Sequence, residues 1–258
     1  MHPKRRPLIA GNWKMFKGGP AGLELAGACK ELAPKVRGVD LVIAPPFTVL
    51  AAAAADLDGT TVGLAAQNLY PKDSGAFTGE ISAPMLKECG CAWVIVGHSE
   101  RRQYFGDTDA LVADKVAAAL SHDLLPIACV GETLAQREGG ETLRVVKQQV
   151  EAFLDVIAQS KAAVAIAYEP VWAIGTGKTA GPAEAEEVHA AIRTWLSNKS
   201  AELAERTRIL YGGSVKPDNA EGLLGCPNVD GALIGGASLD AGSFGAIAEA
   251  AQKLAQGK

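Results

Sequence analysis

A repeating unit constrains this chain more than any other feature. Eight apolar runs of four to six residues lie at 8–11, 40–44, 61–66, 93–96, 126–130, 163–168, 208–211 and 231–234. Runs this short, rich in Val, Ile, Leu and Ala, suit strands that are buried on both faces and need no polar alternation. Amphipathic stretches separate them at 21–32, 47–55, 82–88, 108–122, 142–159, 183–197 and 217–224, with a last one at 242–254. Pro182 and Pro217 fit first-turn helical positions, and Ser82 and Thr108 fit N-caps. Eight strand–helix units without a Pro/Gly/Ser-rich linker predict an α/β fold. The expectation is one (β/α)8 barrel domain over residues 1–258, with eight parallel strands inside a ring of helices. A doubly wound open sheet is the alternative. It seldom needs eight equivalent units, and no G-x-G-x-x-G follows the first run.

The net charge of -4 argues against a nucleic-acid surface but leaves room for a locally positive site that takes a small anion. The five cysteines, Cys29, Cys89, Cys91, Cys129 and Cys226, show no metal-type or redox spacing, and reduced thiols in a cytoplasmic protein are expected. Residues 1–6 form a basic stretch, read as a flexible, solvated leader. No long apolar segment follows it, and no uninterrupted apolar run could span a bilayer.

In a barrel of this kind chemistry gathers where strands end and βα loops begin. Those positions hold Asn12 and Lys14, Gln67 and Asn68, His98 to Arg101, Cys129, Glu169, Gly212 to Ser214, and Gly235 with Gly236. The sixth run delivers one carboxylate, Glu169. A stretch too apolar for an ordinary exposed loop follows at once: Pro170, Val171, Trp172, Ala173 and Ile174, then Gly175, Thr176, Gly177, Lys178 and Thr179. A carboxylate beside an apolar lid suits proton abstraction where water must be excluded. A hydrophobic loop packed permanently on its own domain is the plainer reading. His2, His122 and His189 fall in the leader or on helices and read as structural.

Several longer segments carry a resemblance. They are Gly11-Asn12-Trp13-Lys14-Met15, the run from Ser74 to Glu80, Gly97-His98-Ser99-Glu100-Arg101-Arg102, the lid from Tyr168 to Ala180, Tyr211-Gly212-Gly213-Ser214, and the run from Gly231 to Gly236. In order and spacing they resemble the triosephosphate isomerases, over nearly the whole chain. That family is itself a standard example of acid–base tuning and lid closure. The resemblance implies reversible conversion of D-glyceraldehyde 3-phosphate and dihydroxyacetone phosphate through a cis-enediolate, with no metal or organic cofactor. It implies Glu169 as catalytic base, His98 as neutral electrophile, and Lys14 with Asn12 beside the developing oxyanion. It also implies phosphate contacts from Gly175, Ser214, Gly235 and Gly236, supporting roles for Glu100 and Cys129, and a homodimer in which Thr78 reaches the partner's site.

Two rivals stay open on sequence alone. One is a different phosphate-binding barrel enzyme, although neither a Schiff-base lysine deep on a strand nor a metal cluster is visible. The other is a barrel that binds a phosphorylated metabolite or a protein without catalysis, which the fold would permit.

Overall fold

The structure is a computed structural model and describes residues 5–174 and 180–257. Strands β1 (Leu8–Asn12), β2 (Asp40–Ala44), β3 (Val62–Ala66), β4 (Trp93–Val96), β5 (Leu125–Val130), β6 (Ala165–Tyr168), β7 (Arg208–Tyr211) and β8 (Gly231–Ile234) run parallel in sequence order. Pairing of β1 with β8, Leu8 opposite Gly231, closes the barrel. The helices are α1 (Gly19–Lys30), α2 (Leu50–Leu57), α3 (Ala83–Glu88), α4 (Ser99–Phe105), α5 (Asp109–Ser121), α6 (Leu134–Glu138), α7 (Thr142–Gln159), α8 (Pro182–Lys199), α9 (Ala201–Arg206), α10 (Ala220–Leu224) and α11 (Ala241–Gln256).

Strand side chains alternate between two faces, and here both faces are apolar. Leu8, Ala10, Val42, Ala44, Ala65, Trp93, Ile95, Ile127, Cys129, Ala165, Ala167, Leu210 and Leu233 fill the barrel interior. The alternate positions, such as Ile9, Ile43, Val94, Ile166 and Ile209, face the helices. In α7 the buried residues Val145, Val146, Val150, Phe153 and Ile157 make one stripe against the sheet. Burying each such side chain contributes about 1.5–3 kcal/mol.

Thr108 caps α5 through its hydroxyl, and Pro182 opens α8. Ser82 occupies the N-cap position of α3 without a side-chain cap bond. Pro217 lies in a turn, and α10 begins only at Ala220. The short helices α6 and α9 carry too few residues to show a period, and the sequence pattern does not announce them. Within the leader Arg5 departs from the solvated reading, while Arg6 is exposed. Arg5 is buried, with Nε 2.7 Å from Asp230 Oδ1, and Arg6 Nε lies 2.8 Å from Asp40 Oδ1. Residues 1–4 fall outside the described residues. Among the described residues no helix is long and apolar enough to cross a membrane.

Candidate active site

Strand alternation assembles the site. Past the last inward apolar residue of each strand, the next inward positions are Asn12 in β1, Gln67 after β3, Glu169 after β6, Gly212 after β7 and Gly235 after β8. Asn12, Lys14, His98, Glu169, Gly212, Gly213, Ser214, Gly235 and Gly236 line one cavity of about 720 Å³ at this end of the barrel.

Glu169 is 2% exposed. Its Oε2 accepts a hydrogen bond from the Ser99 N–H at 2.8 Å, at the first turn of α4. Its buried Oε1 lies 3.0 Å from His98 Nε2, and the Cys129 thiol also lies within hydrogen-bonding reach of the carboxylate. The carboxylate stands in a slot made by missing side chains. A Cβ on Gly212 would come 2.8 Å from Glu169 Cγ, and one on Gly131 would come 1.8 Å from its carbonyl oxygen. Beneath it Cys129 is fully buried. Burial first, and the nearby Glu169 carboxylate second, push that thiol well above its ordinary range. It therefore stays protonated, with its S–H beside the carboxylate.

His98 reaches the cavity by a different route. Gly97 takes φ 69°, ends β4 and turns the chain into α4, leaving His98 as its N-cap. The Glu100 backbone N–H donates to His98 Nδ1 at 3.2 Å. An amide can only donate, so Nδ1 presents its lone pair and the ring proton sits on Nε2. The imidazole is thus a fixed Nε2–H donor beside the carboxylate.

Lys14 reaches the same cavity without strand geometry. The two-residue spacing from Asn12 aligns both side chains only if the strand continues, and β1 stops at Asn12. Lys14 sits at φ 50°, a left-handed conformation uncommon outside glycine. Its N–H donates to Asn12 Oδ1 at 3.0 Å, and Gln67 Nε2 donates to its carbonyl at 2.8 Å. Its Nζ donates to Glu100 Oε1 at 2.6 Å and crosses the mouth of the cavity close to Gly235. With Glu100 partly exposed, that ion pair adds little stability and mainly directs the lysine. The wall opposite Glu169 is largely backbone: Gly213 and Ser214 after β7, and Gly235 and Gly236 leading into a one-turn helix, Gly236–Leu239, where Ser238 Oγ donates to Gly235 O at 2.7 Å.

Pro170 leads into a second one-turn helix, Val171–Ala173, and Ile174 joins the cavity lining. Gly175, Thr176, Gly177, Lys178 and Thr179 lie outside the described residues. Thr78 is exposed on the loop after β3, away from the cavity lining of its own chain. Sequence reasoning missed Glu132. It is fully buried, and its Oε1 accepts from the Tyr168 hydroxyl at 3.1 Å and from Trp172 Nε1 at 2.8 Å. The signal was available, because Glu132 lies two residues past the fifth apolar run, another carboxylate close to a strand end. Among the described residues no group of three or more His, Cys, Asp or Glu is placed to hold a metal ion.

Polar side chains converging at the C-terminal ends of parallel barrel strands put the molecule in the class of (β/α)8 barrel enzymes. A family model described as triosephosphate isomerase matches residues 7–251. Proteins named triosephosphate isomerase from Chloroflexus aurantiacus, Rhodopirellula baltica and Moorella thermoacetica are 54%, 53% and 52% identical to the chain. These matches cover 93%, 96% and 94% of the chain and 97%, 98% and 98% of the relatives. The chain belongs to the triosephosphate isomerase family, and is by class an isomerase.

Proposed function

We propose that this protein interconverts D-glyceraldehyde 3-phosphate and dihydroxyacetone phosphate through a cis-enediolate, without a cofactor, in cytoplasmic glycolysis and gluconeogenesis. The observation that carries the reading is the pairing of two groups at one cavity. His98 holds its proton on Nε2, 3.0 Å from a buried oxygen of the Glu169 carboxylate.

Glu169 removes the proton from the carbon beside the carbonyl, and the electron pair moves onto the carbonyl oxygen. Once the hydroxyl proton has passed from one enediolate oxygen to the other, the same carboxylate returns its proton to the adjacent carbon, which completes the isomerisation. His98 Nε2–H hydrogen-bonds the oxygen as it gains charge. A donor already aimed needs no reorganisation in the transition state. Lys14, held near the mouth by Glu100 and its left-handed backbone, brings a cation to the enediolate and the phosphate, and Asn12 fixes that turn. The phosphate lies on the backbone wall at Ser214, Gly235 and Gly236. In the family pattern the amide of Gly175 joins it when the lid from Pro170 to Thr179 closes. To reach the substrate the carboxylate leaves the Ser99 amide. That bond therefore stabilises the resting arrangement, and substrate replaces it.

A homodimer fits the surface. Met15 is 94% exposed, and Phe16, Phe77, Met85, Tyr104 and Phe105 are also exposed large hydrophobics, on the loops and helices near Lys14 and Thr78. A second copy would cover them, and Thr78 would reach the Asn12–Glu100 edge of the partner's site. The test is a coupled assay on glyceraldehyde 3-phosphate beside a Glu169→Gln control. Turnover that collapses in the control supports reaction and base together, and equal trace activity in both refutes them.

A further inference from the structure

The ladder between β5 and β6 runs on through the base. The Glu169 N–H donates to Val130 O at 2.7 Å, and the Val171 N–H donates to Glu132 O at 3.1 Å. Residues 130 and 132 thus face β6. Alternation in a parallel ladder turns the N–H and C=O of Gly131 to the other side, where the preceding strand would pair. That strand is gone, because β4 has turned away at Gly97 into α4.

One side chain stands in for it. The Gly131 N–H donates to Gln149 Oε1 at 2.7 Å, and Gln149 Nε2 donates to Gly131 O at 3.1 Å. Gln149 extends from the middle of α7, along the wall of a second cavity of about 620 Å³ that shares Glu169 with the first. The segment it holds is pressed against the base, since Gly131 has no room for a Cβ beside the Glu169 carbonyl.

We infer that Gln149 is a positioning residue for Glu169, its carboxamide acting as a surrogate strand that clamps the Gly131 peptide against the backbone of the base. The inference rests on the reading of Glu169 as base. Without the clamp, two peptide groups face a cavity large enough for water. The 130–132 segment can then lift, taking with it the acceptors of the Glu169 and Val171 N–H groups. The backbone wall on the far side of the site is untouched.

The test compares wild type, Gln149→Met, which removes both hydrogen bonds at similar volume, and Gln149→Glu, which keeps the acceptor and loses the donor. Turnover of glyceraldehyde 3-phosphate, inorganic phosphate binding and exchange of the Gly131 amide are measured on each. The expected result for Gln149→Met is a kcat lower by roughly ten- to a hundredfold, as about an ångström of misplacement produces. KM and phosphate binding stay within about twofold of wild type, the pattern of a lost transition-state alignment. Gln149→Glu falls between in kcat; Gly131 exchange quickens in Gln149→Met, whereas in Gln149→Glu the retained acceptor keeps the Gly131 N–H protected. A folded Gln149→Met with wild-type kcat overturns the positioning role, whatever its thermal stability, and unchanged Gly131 exchange in that variant overturns the clamp itself. Absence of turnover in wild type would instead sink the reading of Glu169, with the exchange arm still testing the clamp. If Gln149→Met does not fold, the kcat of Gln149→Glu alone decides.

Discussion

The two ends of the barrel treat buried charge in opposite ways. At the N-terminal end Asp230 uses both oxygens: Oδ1 meets Arg5, and Oδ2 meets Arg193 and the Ile209 N–H. Arg208 lies over the Trp93 ring at 5.0 Å and donates to Asp40 at 2.6 Å. At the C-terminal end no arginine or lysine pairs with Glu169 or Glu132 among the described residues, a Glu132 oxygen is left buried without a donor, and Lys14 holds a left-handed backbone. The same strands supply both ends, so the contrast does not come from architecture. At one end both oxygens of the buried Asp230 meet an arginine. At the other, the carboxylates and a left-handed lysine are placed where a ligand can complete the interactions.

Four substitutions or titrations can break or sharpen that contrast. Glu169→Gln gives the largest effect, lowering kcat by ~10³, in the range of a lost general base. Its melting temperature holds or rises, because a neutral amide still accepts from the Ser99 N–H and relieves a buried charge that no arginine or lysine pairs. A marked fall in melting temperature would place Glu169 with the structural charges instead. Asp230→Ala should do the reverse. Urea unfolding is expected to show about 3–5 kcal/mol lost, since two arginines are left facing each other, with kcat per folded molecule retained.

The third test is a titration. Burial lowers the His189 pKa from 6.5 to about 4, in the layer that packs Tyr168 and Tyr211. The unfolded chain takes up this proton first as pH falls. The stability from keeping His189 neutral is therefore complete above pH 6.5 and drains away toward pH 4, by about 3 kcal/mol in all. His189→Gln should flatten that slope in unfolding free energies measured between those limits, and an unchanged slope would assign it to other groups. The smallest effect is Gly212→Ala, which crowds Glu169 Cγ. Overpacking costs of about 1 kcal/mol in unfolding are expected, with a clear drop in kcat and an unchanged KM. Equal losses in kcat and phosphate binding would show that the slot is not private to Glu169.

Much of this was legible because strand alternation is local. Eight apolar runs imply the barrel, and counting by twos past their ends finds Asn12, Glu169, Gly212 and Gly235. The route of Lys14 was not legible, since its turn depends on Gln67, which is distant in sequence. Gln149 sits in a helical run beside Lys147 and Gln148 and looks like one more solvated side chain. Only the departure of β4 gives it work, and no local pattern records that. Arg5 looked solvated for the same reason, because its partner Asp230 lies across the chain. The lid residues from Gly175 to Thr179 are readable as composition and stand outside the described structure.

The slot around Glu169 also bears on transplantation. Gly131 on one side and Gly212 on the other surrender their side chains to it, each on a different strand end. Grafting this carboxylate onto another barrel is thus a three-strand operation. A single Glu placed at a strand end elsewhere would meet a neighbour's Cβ before it met a substrate.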